Sequence, residues 1–208
     1  MARESNFQIM EIEAAPNMEV QIPAMSEDEF YWFCAANADL RIERERDGKI
    51  TIRLPVCLLS GFQKGETGGE LFNWNKATNS GKTFSSSAGF TLPDTAVISA
   101  DAAWISRKKW KNLPWLERNR FGHVVPDFIV EVRSFSDSLK KLKEKVTGTW
   151  LANGVQLAWL IDPVQQKAYI FRADGSEQMV EGFDKKLSGE NVLPGFEFDL
   201  SLLLDEDD

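Results

Sequence analysis

Residues Phe128 to Ile161 read as strand, helix, strand, and that order constrains the fold more than any other feature of the sequence. Phe128-Ile129-Val130-Glu131-Val132-Arg133 is mostly β-branched and aromatic, and Leu157-Ala158-Trp159-Leu160-Ile161 is apolar throughout. Between them, from about Asp137 to Ala152, Leu139, Leu142, Val146 and Trp150 recur at helical spacing. Asn153-Gly154 then supplies a left-handed cap. Such an order implies a right-handed crossover between two parallel strands in the middle of a sheet. A chain of 208 residues with 43% hydrophobic content suits one α/β-sized domain around a well-filled core.

The flanking segments carry weaker signals. Ser26 and Glu29 form the pattern of a capping box, which predicts a helix through Phe30, Phe33 and Cys34. Leu40 to Arg46 alternates, and Asp47-Gly48 turns it back along Lys49 to Leu54 as a hairpin. Gly61 to Gly69 reads as a glycine-bearing loop before a helix around Leu71, Phe72 and Trp74. It lacks the Gly-Lys-Ser/Thr needed to bind phosphate and magnesium. Short strands are expected in Thr83–Leu92, Thr95–Ser99 and Asp101–Ile105, then a basic aromatic helix with Lys109, Trp110 and Trp115. Lys167 to Arg172 follows a turn at 162–166, and the remainder covers the core. The expected organisation is an arm over residues 1–25, a domain over 26–204 and an acidic tail over 205–208.

Composition narrows the function classes. No apolar stretch has membrane length and the first residues lack the apolar segment of a secretory signal, so a soluble, cytoplasmic protein without a membrane partner is expected. Cys34 and Cys57 have no CxxC spacing and read as small core residues. A single histidine, His123, excludes multi-histidine metal sites and reads as a loop residue. The net charge of −8 argues against a nucleic-acid partner, yet residues 101–145 hold eleven Lys/Arg against six Asp/Glu. That run fits either a solvated helix face or a wall that tracks phosphates.

Glu131 places a carboxylate in an otherwise buried type of strand. With period-two alternation Phe128, Val130 and Val132 share one face, and Asp127, Ile129, Glu131 and Arg133 the other. One reading is a surface strand with a Glu131–Arg133 pair; the other is a metal-binding carboxylate at the mouth of a sheet. Asp101 opens another strand thirty residues earlier. Two carboxylates at neighbouring strand ends can share a hard cation, and magnesium, which tolerates few protein ligands, is the natural occupant. Asp127 cannot easily join Glu131, because four residues of strand separate their Cα atoms by roughly 13 Å.

Thr83 to Pro93, Ala100-Asp101-Ala102-Ala103-Trp104, Pro126 to Ser134 and Ala152 to Pro163, taken in this order, resemble the Uma-type putative restriction endonuclease family of the PD-(D/E)XK nuclease superfamily. The resemblance runs from about Ser26 to Leu204. It implies a restriction-endonuclease-like α/β core, a central mixed sheet flanked by helices, and Mg2+-dependent cleavage of DNA phosphodiesters, with Mn2+ as a substitute. By the same resemblance Asp101 and Glu131 hold the metal, and Lys145 on the following helix takes the place of the superfamily's usual strand lysine, where Arg133 stands. Glu43 corresponds to an additional acid, with Glu45 as its neighbour on the same strand face. Between Lys145 and Trp150 this chain has one residue more than the family's usual helix. An extra residue turns a helix by about 100° or is absorbed as a bulge, so Lys141, one turn earlier, is the fallback. Arg133 is a further candidate for phosphate binding, and a homodimer is expected for cutting both strands of a duplex. The rival reading is a non-cleaving module that keeps the nuclease fold and binds nucleic acid or protein.

Overall fold

A computed structural model describes residues 25–204. The expected arm, apart from Met25, and the 205–208 tail lie outside the described residues. The chain begins with α1 (Glu27–Ala36), the hairpin β1 (Arg41–Arg44) and β2 (Ile50–Arg53), and a long helix α2 (Leu58–Thr78). Strands β3 (Gly81–Ser85), β4 (Phe90–Thr91), β5 (Val97–Ile98) and β6 (Ala102–Ser106) follow, then α3 (Arg107–Asn112) and α4 (Trp115–Arg118). The last part comprises β7 (Phe128–Val132), α5 (Leu139–Lys145), β8 (Leu157–Asp162), β9 (Lys167–Arg172), β10 (Glu177–Glu181), β11 (Lys186–Ser188) and β12 (Glu197–Asp199).

Six strands form the central mixed sheet in the order β10-β9-β8-β7-β6-β3. Its one parallel pair is β7–β8, in register from Phe128 opposite Leu157 to Val132 opposite Ile161. The strand–helix–strand pattern anticipated this crossover. Alternation along β7 also holds: Phe128, Val130 and Val132 join Trp159, Phe196 and Phe198 on one face, and Ile129 joins Leu160, Val146 and Trp150 on the other. Every residue of β7 is therefore buried, and the reading of a solvated surface strand is wrong. A smaller sheet, β2-β1-β5-β4, packs with α1 around Phe30, Ile50 and Val97. The capping box of α1 forms through Ser26 and Glu29, and Gly48 turns the β1–β2 hairpin at φ +86°.

Three local expectations need correction. Residues 61–69 are no loop but the middle of α2, a helix of 21 residues. Glycine disfavours helix by about 1 kcal/mol per residue relative to alanine, so propensity pointed the wrong way. Burial of an inward stripe, Ser60, Gln63, Thr67 and Leu71, overrides it, with Gln63 Nε2 donating to the carbonyl of Leu203 at 3.0 Å. Gly81, just beyond α2, is required: a Cβ there would lie 2.1 Å from the carbonyl oxygen of Ile105. The basic aromatic helix is two short helices, because Pro114 lacks the N–H to continue α3 and disfavours helical backbone at Leu113. Neither cysteine belongs to the fully buried core; Cys34 is half-buried and Cys57 is exposed.

After Lys145 the helix widens into a bulge, one of the two outcomes expected there. The α-helical bonding of α5 gives way to a π-helical turn over Val146–Trp150 and a 3-10 turn over Leu151–Asn153, ended by Gly154 at φ +104°. In a continuous α-helix two residues five apart point about 140° away from each other. The wider turn removes that divergence, and Lys145 and Trp150 face the same strand.

Candidate active site

β6 and β7 are central strands that run antiparallel, with Ala102 opposite Val130, so the start of β6 and the end of β7 meet at one end of the strands. Asp101 stands just before β6. Its Oδ2 accepts the backbone N–H of Val132 at 2.8 Å, which places its carboxylate beside Glu131. Lys145 Nζ lies 2.8 Å from Glu131 Oε1 and 3.7 Å from Glu43 Oε1, and donates to the carbonyl of Ser99 at 2.8 Å. Trp150 Nε1 donates to the same Glu131 oxygen at 2.9 Å. Glu43, on β1, accepts from Arg53 on β2 at 2.9 and 3.1 Å and from the backbone N–H of Ser99 at 3.2 Å.

The cluster thus gathers Glu43, Asp101, Glu131 and Lys145 from four separated segments. Glu45, the alternative to Glu43, sits beyond the paired part of β1 and accepts from Thr51 at 3.5 Å. Lys141 is on the exposed face of α5, so the fallback is not needed. Arg133 does not pair with Glu131. Its Nη1 binds Asp162 Oδ2 at 2.8 Å and its Nε donates to the carbonyl of Asp137, so its guanidinium is already committed to protein groups.

Two basic residues were missed by sequence reasoning, Arg53 on Glu43 and Lys64 on Asp101. Lys64, on α2, places Nζ 3.0 Å from Asp101 Oδ1. It was hidden because the segment read as a loop; helical spacing from Ser60 and Thr67 was the signal that could have found it. The basic run 107–120, by contrast, is not a wall of this site. It follows the far end of β6, five residues and roughly 17 Å from Asp101. There Lys109 binds Asp127 at 2.7 Å, and His123, a loop residue as expected, bridges Glu117 and Glu27. A cleft of about 540 Å³ lies at that end, lined by Lys109, Leu113, His123 and Asn153, away from the carboxylates. A smaller groove of about 180 Å³ opens beside the cluster between Arg41, Glu43, Arg53, Ser99 and Phe121.

Charge in the cluster is balanced by contact: Lys64 on Asp101, Lys145 on Glu131, Arg53 on Glu43. Burial pushes the Glu131 carboxyl above its ordinary range and the like charge of Asp101 adds to this, while Lys145 opposes it. Burial alone would lower the Lys145 ammonium, but Glu131 and Glu43 outweigh it and hold Lys145 protonated. Burial opposes ionisation of Glu43 too, and Lys145 and Arg53 overcome it. Among the described residues no group of three or more His, Cys, Asp or Glu is arranged to hold a metal. Asp101 and Glu131 nevertheless fit a magnesium ion that keeps most of its water, since such an ion uses one or two carboxylates and would relieve the repulsion between these two.

Comparison with known proteins bears on the fold and the family. The chain resembles a crystal structure of a putative nuclease of the DUF820 group from Anabaena variabilis, with a TM-score of 0.67, 20% identity, and coverage of 86% of this chain and 99% of that one. At that identity the likeness shows the fold, which is restriction-endonuclease-like. Among curated proteins none matches. No described helix is long and apolar enough to cross a membrane. The Uma2 model, described as "Putative restriction endonuclease", matches residues 27–202, which include Glu43, Asp101, Glu131 and Lys145, and the chain therefore belongs to the Uma2 family.

Proposed function

We propose that this chain is a Mg2+-dependent endonuclease that hydrolyses phosphodiester bonds in DNA, with Mn2+ as a substitute ion and two copies acting on the two strands of a duplex. The observation that supports it most is the convergence of Lys145 on Glu131 and Glu43 beside Asp101 at one end of the central strands. Asp101 and Glu131 would hold the ion, which when bound supplies a polarised phosphate and a water of lowered pKa. Lys145 stays protonated within reach of the same end, so its ammonium can stabilise negative charge developing on the phosphate. Glu43 holds Lys145 and Arg53 in place, and the groove beside Glu43 gives a substrate access from that side. Trp150 and Lys145 fix one Glu131 oxygen and so orient the carboxylate that would help hold the ion.

A second reading has one specific observation in its favour. Each carboxylate of the cluster already has a basic partner, so the site is electrostatically satisfied without an ion, as a non-cleaving module with this fold would require. Calorimetry with Mg2+ and nicking of supercoiled plasmid separate the two. The nuclease reading expects one ion per chain in wild type, loss of that ion in Asp101→Ala and Glu131→Ala, and nicking that chelation abolishes. Wild type that binds no ion and leaves plasmid intact would overturn it. A sedimentation profile of monomer alone at micromolar concentration would remove the two-copy element.

A further inference from the structure

The proposed nuclease function leaves Lys64, the basic group on Asp101, without a role. Its Nζ is 3.0 Å from Asp101 Oδ1, and Asp101 Oδ2 is already taken by the Val132 N–H, so Lys64 occupies the carboxylate oxygen that remains for a cation. Two features make this ammonium the displaceable one. Lys145 is held by Glu131, Glu43 and the Ser99 carbonyl together, whereas Asp101 is the one carboxylate that Lys64 contacts among the described residues. On α2 the positions three before and four after Lys64 are Gly61 and Gly68, and at neither does any atom lie within 4 Å of an added Cβ. The Lys64 side chain is itself 19% exposed, so it is mostly enclosed, and the room for it to swing away from Asp101 lies over the two bare glycine positions.

We propose that Lys64 is a tethered competitor for the divalent ion: it neutralises Asp101 until the ion displaces it, and the freed ammonium then binds a phosphate oxygen of the nucleic-acid backbone. This inference rests on the ion site of the proposed nuclease. Its physical basis is charge balance. The cluster of three acids and three bases is neutral, and adding a divalent ion while every base keeps its carboxylate would leave two uncompensated positive charges in a half-enclosed site. Release of Lys64 from Asp101 separates the two excess charges, and two backbone phosphates, one at the ion and one at the freed ammonium, compensate them. Ion and backbone therefore bind cooperatively through this one side chain, and by reciprocity each tightens the other.

The test is calorimetric and does not need turnover. Wild-type protein and the variants Lys64→Met and Lys64→Gln are titrated with Mn2+, alone and with a saturating short DNA duplex, after thermal melts have checked folding. Removing the competitor is expected to tighten Mn2+ binding about tenfold in the absence of DNA, within the usual range of coupling between sites. Duplex is expected to raise the affinity of wild type for Mn2+ and to leave that of the variants unchanged. If Lys64→Met does not fold, Lys64→Gln, which keeps an N–H for Asp101, decides. Tighter binding in the variants supports the competitor even where plasmid stays intact, so the inference survives loss of the nuclease reading. Equal or weaker binding in the variants, with a wild-type site that Asp101→Ala removes, overturns the inference alone. Absence of ion binding in all three proteins overturns both.

Discussion

Lys145→Ala is expected to lower Mg2+-dependent plasmid cleavage by about two orders of magnitude, the size of effect seen when one preorganised donor to transition-state charge is removed. The ammonium matters most when negative charge builds on the phosphate, so single-turnover rate should carry the loss while ion affinity, read by calorimetry, changes little. Stability should fall as well, because Glu131 loses a partner in a buried position. Trp150 still donates to it, and its already raised tendency to take a proton limits the cost to about 1–3 kcal/mol. Lys141→Ala is the matched control, on an exposed face where substitutions stay within about 0.5 kcal/mol. If Lys141→Ala loses cleavage and Lys145→Ala does not, the assignment of the lysine is wrong.

The largest effect on stability is expected at Trp150. It is fully buried between β4 and the helical face of the sheet, 6.2 Å from the Phe90 ring, and its indole N–H binds Glu131. Trp150→Ala removes a large side chain from a core that cannot collapse around the loss, which costs about 3–5 kcal/mol. For a domain stable by about 5–15 kcal/mol this is a large fraction of the total, and urea denaturation should show it as a clear drop in midpoint. Trp150→Phe keeps most of the volume and removes the donor. It should therefore cost less in urea but release Glu131 from one of its two anchors, and slow cleavage without unfolding the chain. Equal midpoints for Trp150→Ala and wild type would show that the indole is not part of the core.

The core of the fold was legible because its signals are local and strong. Alternation in Phe128–Val132, the apolar 157–161 run and the Asn153-Gly154 cap each follow from backbone geometry, and together they lead to the parallel β7–β8 pair. The second half of α2, around Leu71, Phe72 and Trp74, was legible, but the first half was not, because its glycines argue against helix and contacts from distant residues such as Leu203 decide otherwise. At the site, Asp101 and Glu131 could be paired from strand-end positions, and Glu43 and Lys145 from family resemblance. Their convergence required the register of β1 against β5 and the turn after α5, neither of which a linear pattern contains. Arg133 misled for the opposite reason: adjacency to Glu131 in sequence suggested a pair, whereas Asp162, at the end of the neighbouring parallel strand, lies closer in space.

The π-helical turn after α5 bears on how this chain should be aligned with its relatives. A π-helical turn takes up one residue more than an α-helical one, so position along the chain and direction of the side chain part company here: Lys145 and Trp150, five residues apart, both meet Glu131. An ungapped alignment with a chain whose helix stays α-helical throughout would set a neighbour of Lys145 against the residue that takes its place there. A gap against such a chain would belong within residues 146–149, since Lys145 and Trp150 on either side both hold Glu131.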